Sequence, residues 1–202
     1  MGDVFPTGDV EARFVVTLAM FANDLMRTTE LLSRLRDDDP ETQGTRIMLV
    51  RYQASAFHEF AKFVRRARAL AVVATLVDGL PDDAVKAYAT MTRVAKKLRP
   101  WLEKNRNVTF HYAELSQGKL DNRTDEVMSA LAKAADIQTF VRTGENVGAG
   151  YPFADEVATK LFDITSERAT TLREGVVGAT NFALAAGRAY ISRQGAERFG
   201  FE

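Results

Sequence analysis

The chain has no cysteine and no long apolar run, and each absence excludes a class of protein. Without cysteine there can be no disulfide, no thiolate zinc site and no cysteine nucleophile. The first residues, 1–6, lack a basic region followed by an apolar core, so no signal peptide is expected. The longest apolar run, 69–77, is interrupted by Thr75 and is far shorter than the roughly 20 residues that span a bilayer. We therefore expect a cytoplasmic protein with no membrane segment.

The chain also lacks an excess of charge of either sign. The 202 residues include 27 basic and 27 acidic side chains, so there is no excess of positive charge to attract nucleic acid non-specifically. Hydrophobic residues make up 46% of the chain and charged residues 27%, which is typical of globular proteins. Any contact with RNA must therefore be focused on a few residues.

The apolar residues recur at steps of three and four throughout, which predicts helices and no strands. Breaks are expected at the acidic loop 37–40, at 78–81 and at Pro100. We predict an all-α protein: an antiparallel four-helix bundle over about 10–118, extended by two helices over about 123–195, all in one domain of residues 1–202. The predicted helices are about 9–36, 44–77, 82–98, 106–117, 124–143 and 154–193, with a glycine-rich loop at 144–152.

The candidate functional motif is the segment 106–112, which holds one of only two histidines. Arg106 keeps its charge and can fork onto phosphate oxygens, Asn107 adds a polar amide, and His111 can exchange protons near neutral pH. We predict that the motif opens the fourth helix, with Asn105 or Asn107 as its N-cap. The unpaired N–H groups of that first turn would then add positive potential where a phosphate binds.

At Arg106, Asn107 and His111 the chain resembles the HEPN superfamily (higher eukaryotes and prokaryotes nucleotide-binding), whose motif is Arg, a polar residue, about three further residues and His. The resemblance implies a helical bundle that forms a homodimer with two motifs facing one cleft. It also implies metal-independent endoribonuclease activity, often in toxin–antitoxin or phage-defence systems, with RNA as substrate, no cofactor and an antitoxin protein as a possible partner. Some family members carry a tyrosine two places after the histidine. Here Tyr112 follows His111 directly and Ala113 takes the second place.

Two residues are candidates to support the motif. Tyr112 lies beside His111, and Glu59 in the second helix could orient Arg106 or fix the tautomer of His111. The alternative for Glu59 is an ion pair with Lys62 or Arg66 on its own helix, with the neighbouring His58 partly exposed. The same helix is locally basic, and its arginines suit either a solvated face or a phosphate track. These arginines are Arg51, Arg65, Arg66 and Arg68.

Other kinds of site are less well supported by the sequence. The acidic run 37–41 has no second acidic cluster at helical spacing, and no histidine follows a glutamate by three places, so no metal site is predicted. The loop 144–150 lacks the lysine of a phosphate-binding loop. The alternative to a ribonuclease is a non-enzymatic helical module that binds a protein or a small ligand.

Overall fold

A computed structural model describes residues 5–35, 40–110, 158–159 and 161–194, without the side chains of 40–41 and 107–110. All regular structure in these ranges is helical and no strand occurs in them, which confirms the predicted all-α class. None of the helices described is long and apolar enough to cross a membrane. Within this part of the chain there are six helices: α1 (Val10–Arg34), α2 (Pro40–Ala67), α3 (Ala71–Asp78), α4 (Asp82–Lys97), α5 (Arg99–Phe110) and α6 (Ser166–Arg193).

The predicted second helix, 44–77, is wrong as a single element, because the structure divides it into α2 and α3. The division lies at Arg68–Leu70, where Ala69 and Leu70 donate hydrogen bonds to carbonyls only three residues earlier. Leu70 then takes an extended conformation, with φ −83° and ψ 125°, before α3 begins. No glycine or proline marks this point in the sequence, so the apolar periodicity runs through it unbroken.

The predicted start of the fourth helix at the motif is also wrong. The chain breaks at Leu98, as Pro100 suggests, but α5 begins directly afterwards at Arg99. Proline is tolerated here because the first N–H groups of a helix have no partner within the helix. Trp101, Leu102 and Asn105 form the buried face of this helix, and their burial stabilises α5 from its first turns onward. Arg106 therefore lies well inside α5.

The last predicted helix, 154–193, is interrupted. Residues 158–159 and 161 are helical, a turn follows, and α6 starts at Ser166. Asp163 takes a left-handed conformation with φ 50°, and the Thr165 hydroxyl accepts a hydrogen bond from the backbone N–H of Arg168 at 3.2 Å. Thr165 is thus the N-cap of α6. The predicted helix 124–143, the loop 144–152 and the acidic residues 37–39 lie outside the described residues.

The described residues fall into two compact units. Unit 1 takes in the described residues within 1–27, 56–99 and 170–202, and unit 2 takes in those within 28–55 and 100–169. The single-domain arrangement stays a prediction.

Close helix contact and aromatic side chains build the core of unit 1. A methyl group on Gly178 of α6 would lie 2.9 Å from the Ala87 carbonyl oxygen of α4, so the two backbones approach closely at this glycine. At Gly175, one turn earlier, a methyl group would meet side chains instead, 2.6 Å from Val94 and 2.7 Å from Phe57. At Gly175 and Gly178, α6 therefore packs too closely on its neighbours to leave room for a larger side chain. The largest side chains in this core are fully buried: Phe57, Phe60, Phe182 and Tyr190.

Candidate functional site

The motif residues are only partly within the described structure. Arg106 is half-buried on α5, and the backbone of Asn107 continues that helix. The side chain of Asn107 is not described, and His111 and Tyr112 lie outside the described residues. The proximity of Arg106 to His111 therefore stays a prediction. What the structure does define is the turn of α5 that leads into the motif.

Both predicted N-caps are wrong, because Asn105 and Asn107 lie in the interior of α5. The side chain of Asn105 is fully buried in unit 2, and its Nδ2 donates a hydrogen bond at 2.9 Å to the carbonyl of Trp101, one turn earlier in α5. Its Oδ1 accepts no hydrogen bond within the part of the chain that the structure describes. The unpaired N–H groups at the start of α5 belong to residues around Arg99 and not to the motif. The prediction of a helix N-terminus at the motif is therefore wrong, and the first turn of α5 adds no positive potential beside Arg106.

Trp101 anchors this turn of α5. It is buried, and its indole Nε1 donates a hydrogen bond at 2.6 Å to the carbonyl of Phe162. On the Phe162 ring lies the guanidinium of Arg51, whose Cζ is 3.8 Å from the ring centroid. Arg51 is only 8% exposed, so the cation is buried against an aromatic face. These contacts, all within unit 2, hold α5 in place immediately before Arg106.

Sequence reasoning missed the roles of Trp101 and Phe162. Trp101 is the only tryptophan of the chain, and it stands four residues before Asn105, the spacing of neighbours on one helix face. That spacing was the available signal for a buried pair. Nothing in the sequence pairs Phe162 with Trp101, because the two are separated by 61 positions.

The four arginines of the predicted basic face differ in their surroundings. Arg65 and Arg66 are exposed, which is compatible with a solvated face and with a phosphate track. Arg51 is buried over Phe162 and is not part of an exposed phosphate track. Arg68 donates to Tyr88 and Asp78, and its hydrogen bond with the Tyr88 hydroxyl is the main cause that raises the pKa of Arg68 above its ordinary value.

Glu59 forms an ion pair on its own helix, which is the predicted alternative to a role at the motif. Its carboxylate lies 3.5 Å from the Lys62 ammonium, one turn along α2, in unit 1. His58, the other histidine, is half-buried on the same helix. A supporting role of Glu59 toward Arg106 or His111 stays a prediction.

Comparison of the chain with protein-family models, with curated proteins and with solved structures found no match. The resemblance to the HEPN superfamily therefore rests on Arg106, Asn107 and His111 alone. Within the described ranges, no group of three or more histidine and carboxylate side chains is placed to hold a metal ion.

Proposed function

We propose that this chain binds RNA at Arg106 and His111 and cleaves it as a HEPN-like, metal-independent endoribonuclease. The observation that supports this most directly is the placement of Arg106. It is half-buried and follows Asn105, which is fully buried and bonded to the Trp101 carbonyl. Because the backbone of this turn is already held in place, phosphate binding has to order only the side chain of Arg106.

The proposed reaction uses the ribose 2′-hydroxyl as nucleophile. A base removes its proton while the 2′ oxygen forms a bond to phosphorus, and the bond to the 5′ oxygen breaks as an acid donates a proton to that oxygen. The products are a cyclic phosphate and a free 5′-hydroxyl. His111 transfers the protons, and Arg106 stabilises the extra negative charge on the phosphorane-like transition state.

The proposed active form is a homodimer. One imidazole cannot serve as base and acid in the same step, and a two-fold axis would bring a second His111 to the same phosphodiester. Asn107 would bind a phosphate oxygen or position the imidazole.

The test is cleavage of a purified single-stranded RNA in EDTA. We expect His111→Ala to lower the rate by about 100-fold or more, the usual contribution of a general acid or base. His58→Ala is the matched control, because it removes the only other histidine and is expected to leave the rate unchanged. Full cleavage by the His111→Ala protein would overturn the proposal.

Binding is measured separately from cleavage. Arg106→Ala is expected to weaken RNA binding. The slope of log affinity against log salt concentration should become shallower by about 0.7, the value for one phosphate contact on a single strand. Arg173→Ala, at an exposed arginine of α6 that is not one of the basic residues of α2, is the control. Binding that depends on Arg106 without any cleavage would identify an RNA-binding relative that is not an enzyme.

A further inference from the structure

A groove in unit 1 has an apolar floor and a cationic rim. Its volume is about 660 Å³, within the range of small-molecule pockets, and it is lined by Arg68, which directly follows α2, and by residues of α3, α4 and α6. Buried side chains form the floor, including Val77, Leu80, Ala84 and Phe182. The groove is therefore a recess into the core of this unit.

The charges around the groove are mostly positive. Arg68, Arg93 and Lys96 line it together with a single carboxylate, Asp78. Arg93 also forms an ion pair with Glu174, whereas Lys96 is exposed on the last turn of α4. A bound anion would gain favourable electrostatic energy at this rim, and a bound cation would lose it.

Tyr88 joins the floor to the rim. The Arg68 guanidinium lies over its ring, with Cζ 5.1 Å from the centroid, and Nη1 donates a hydrogen bond to the Tyr88 hydroxyl at 3.3 Å. Nη2 of Arg68 donates to Asp78 at 2.5 Å, which holds the guanidinium in place. Because the Tyr88 oxygen is the acceptor, its own O–H proton can be donated to a ligand oxygen.

The shape favours a small molecule over a protein partner. Docking of an amphipathic helix needs an exposed apolar stripe with several anchors along it. Among the residues that line this groove, Val85 is the one large hydrophobic side chain that is exposed, at 46%. The other large apolar residues of the lining are recessed, where the apolar body of a small ligand can reach them.

We propose that this groove binds an amphiphilic organic monoanion, with its aliphatic or aromatic body on the floor and its carboxylate at Lys96, Arg93 and the Tyr88 hydroxyl. This site is separate from the proposed ribonuclease site and does not depend on it.

The experiment is isothermal titration calorimetry of the full chain with octanoate, and with octan-1-ol as the uncharged analogue. We expect one site for octanoate, and affinity that falls as salt is raised. Octan-1-ol is expected to bind at least about fivefold more weakly, since it lacks the charge-assisted contacts. Equal affinity for the alcohol and the carboxylate would overturn the proposal.

Two variants and a matched control locate the site. Lys96→Glu reverses a rim charge and is expected to weaken octanoate binding about tenfold. The control is Lys86→Glu, at a lysine that is also exposed on α4 but lies outside the groove, and it is expected to change the affinity less than about twofold. Ala89→Trp fills the groove from an exposed position and is expected to abolish binding while the circular dichroism spectrum stays helical. Equal effects of Lys96→Glu and Lys86→Glu would overturn the proposal, as would binding of an acidic amphipathic peptide but not of octanoate.

Discussion

The Tyr190 hydroxyl donates a hydrogen bond to Oδ2 of Asp9 at 3.0 Å, and so joins two residues that are 181 positions apart. Oδ1 of the same carboxylate accepts the backbone N–H of Glu11 at 2.9 Å, which makes Asp9 the N-cap of α1. Tyr190 is fully buried on α6, and the Phe5 ring stacks on it at a centroid distance of 5.5 Å. One carboxylate therefore caps α1 and holds α6 within unit 1.

We predict that Tyr190→Phe lowers the free energy of unfolding by about 1.5–3 kcal/mol, because it removes one hydrogen bond to a charged acceptor and keeps the ring. Urea unfolding followed by circular dichroism measures this. The control is Arg93→Gln, which removes the ion pair of Arg93 with Glu174, two side chains that are both about half exposed. Exposed ion pairs are weak, so the control is expected to cost about 0.5 kcal/mol or less. A larger loss in the control than in Tyr190→Phe would contradict this ranking.

Stability should fall at alkaline pH through the same tyrosine. Burial, followed by the hydrogen bond to Asp9, raises the pKa of Tyr190 from 10.0 to about 12. In the unfolded chain the phenol loses its proton near pH 10, so the folded state binds more protons between pH 10 and 12. The stability that Tyr190 contributes in this way is fully present below pH 10. It is lost as the pH rises toward 12, and the free energy of unfolding falls by up to about 1.4 kcal/mol per pH unit.

The measurement for this pH dependence is urea unfolding between pH 8 and pH 11. In Tyr190→Phe the contribution is absent, so the difference in stability between wild type and variant should shrink above pH 10. A difference that grows with pH would reverse the sign and contradict the assignment.

Two glycines of α6 should respond in opposite ways to alanine. A Cβ on Gly178 would meet the backbone of α4 at 2.9 Å from the Ala87 oxygen and 3.0 Å from the Met91 nitrogen, so helix α6 must shift. We expect Gly178→Ala to lower the free energy of unfolding by about 1–3 kcal/mol. At Gly187 the nearest atom would be 3.9 Å away, on Val15, so Gly187→Ala should be neutral or stabilise by up to about 1 kcal/mol through helix propensity. Equal melting temperatures for the two variants would show that the close approach is absent.

Removal of the Trp101 hydrogen bond should destabilise unit 2. The indole N–H of Trp101 donates to the Phe162 carbonyl at 2.6 Å, and Trp101→Phe removes this donor. We expect the free energy of unfolding to fall by about 1–3 kcal/mol, because the buried carbonyl is left without a hydrogen bond. Circular dichroism follows the unfolding, because the variant has no tryptophan to report it by fluorescence. Arg34→Gln, which removes an exposed ion pair with Glu30, is the control and should change stability by about 0.5 kcal/mol or less. Similar stability for both variants would contradict the role of Trp101.

The candidate site could be predicted from the sequence only as a set of residue types. Arg106, Asn107 and His111 follow from a short motif and from the chemistry of an arginine and an imidazole. The predicted helix start around them was wrong, since Pro100 is compatible with the first turn of α5. The burial of Arg51 on Phe162 could not be predicted, because an arginine on a helix is ordinarily exposed and only a tertiary contact selects an aromatic partner.

By itself, the sequence determined the helical class and the bounds of α1 and α4, because a 3.6-residue apolar period and the breakers at 78–81 act locally. Only the tertiary structure decided the division between α2 and α3. Arg68, at that division, donates to Asp78 and Tyr88, ten and twenty residues further along the chain, and no local signal marks the break. Contacts of this kind depend on which helices pack together, and the periodicity of one helix carries no information about its neighbours.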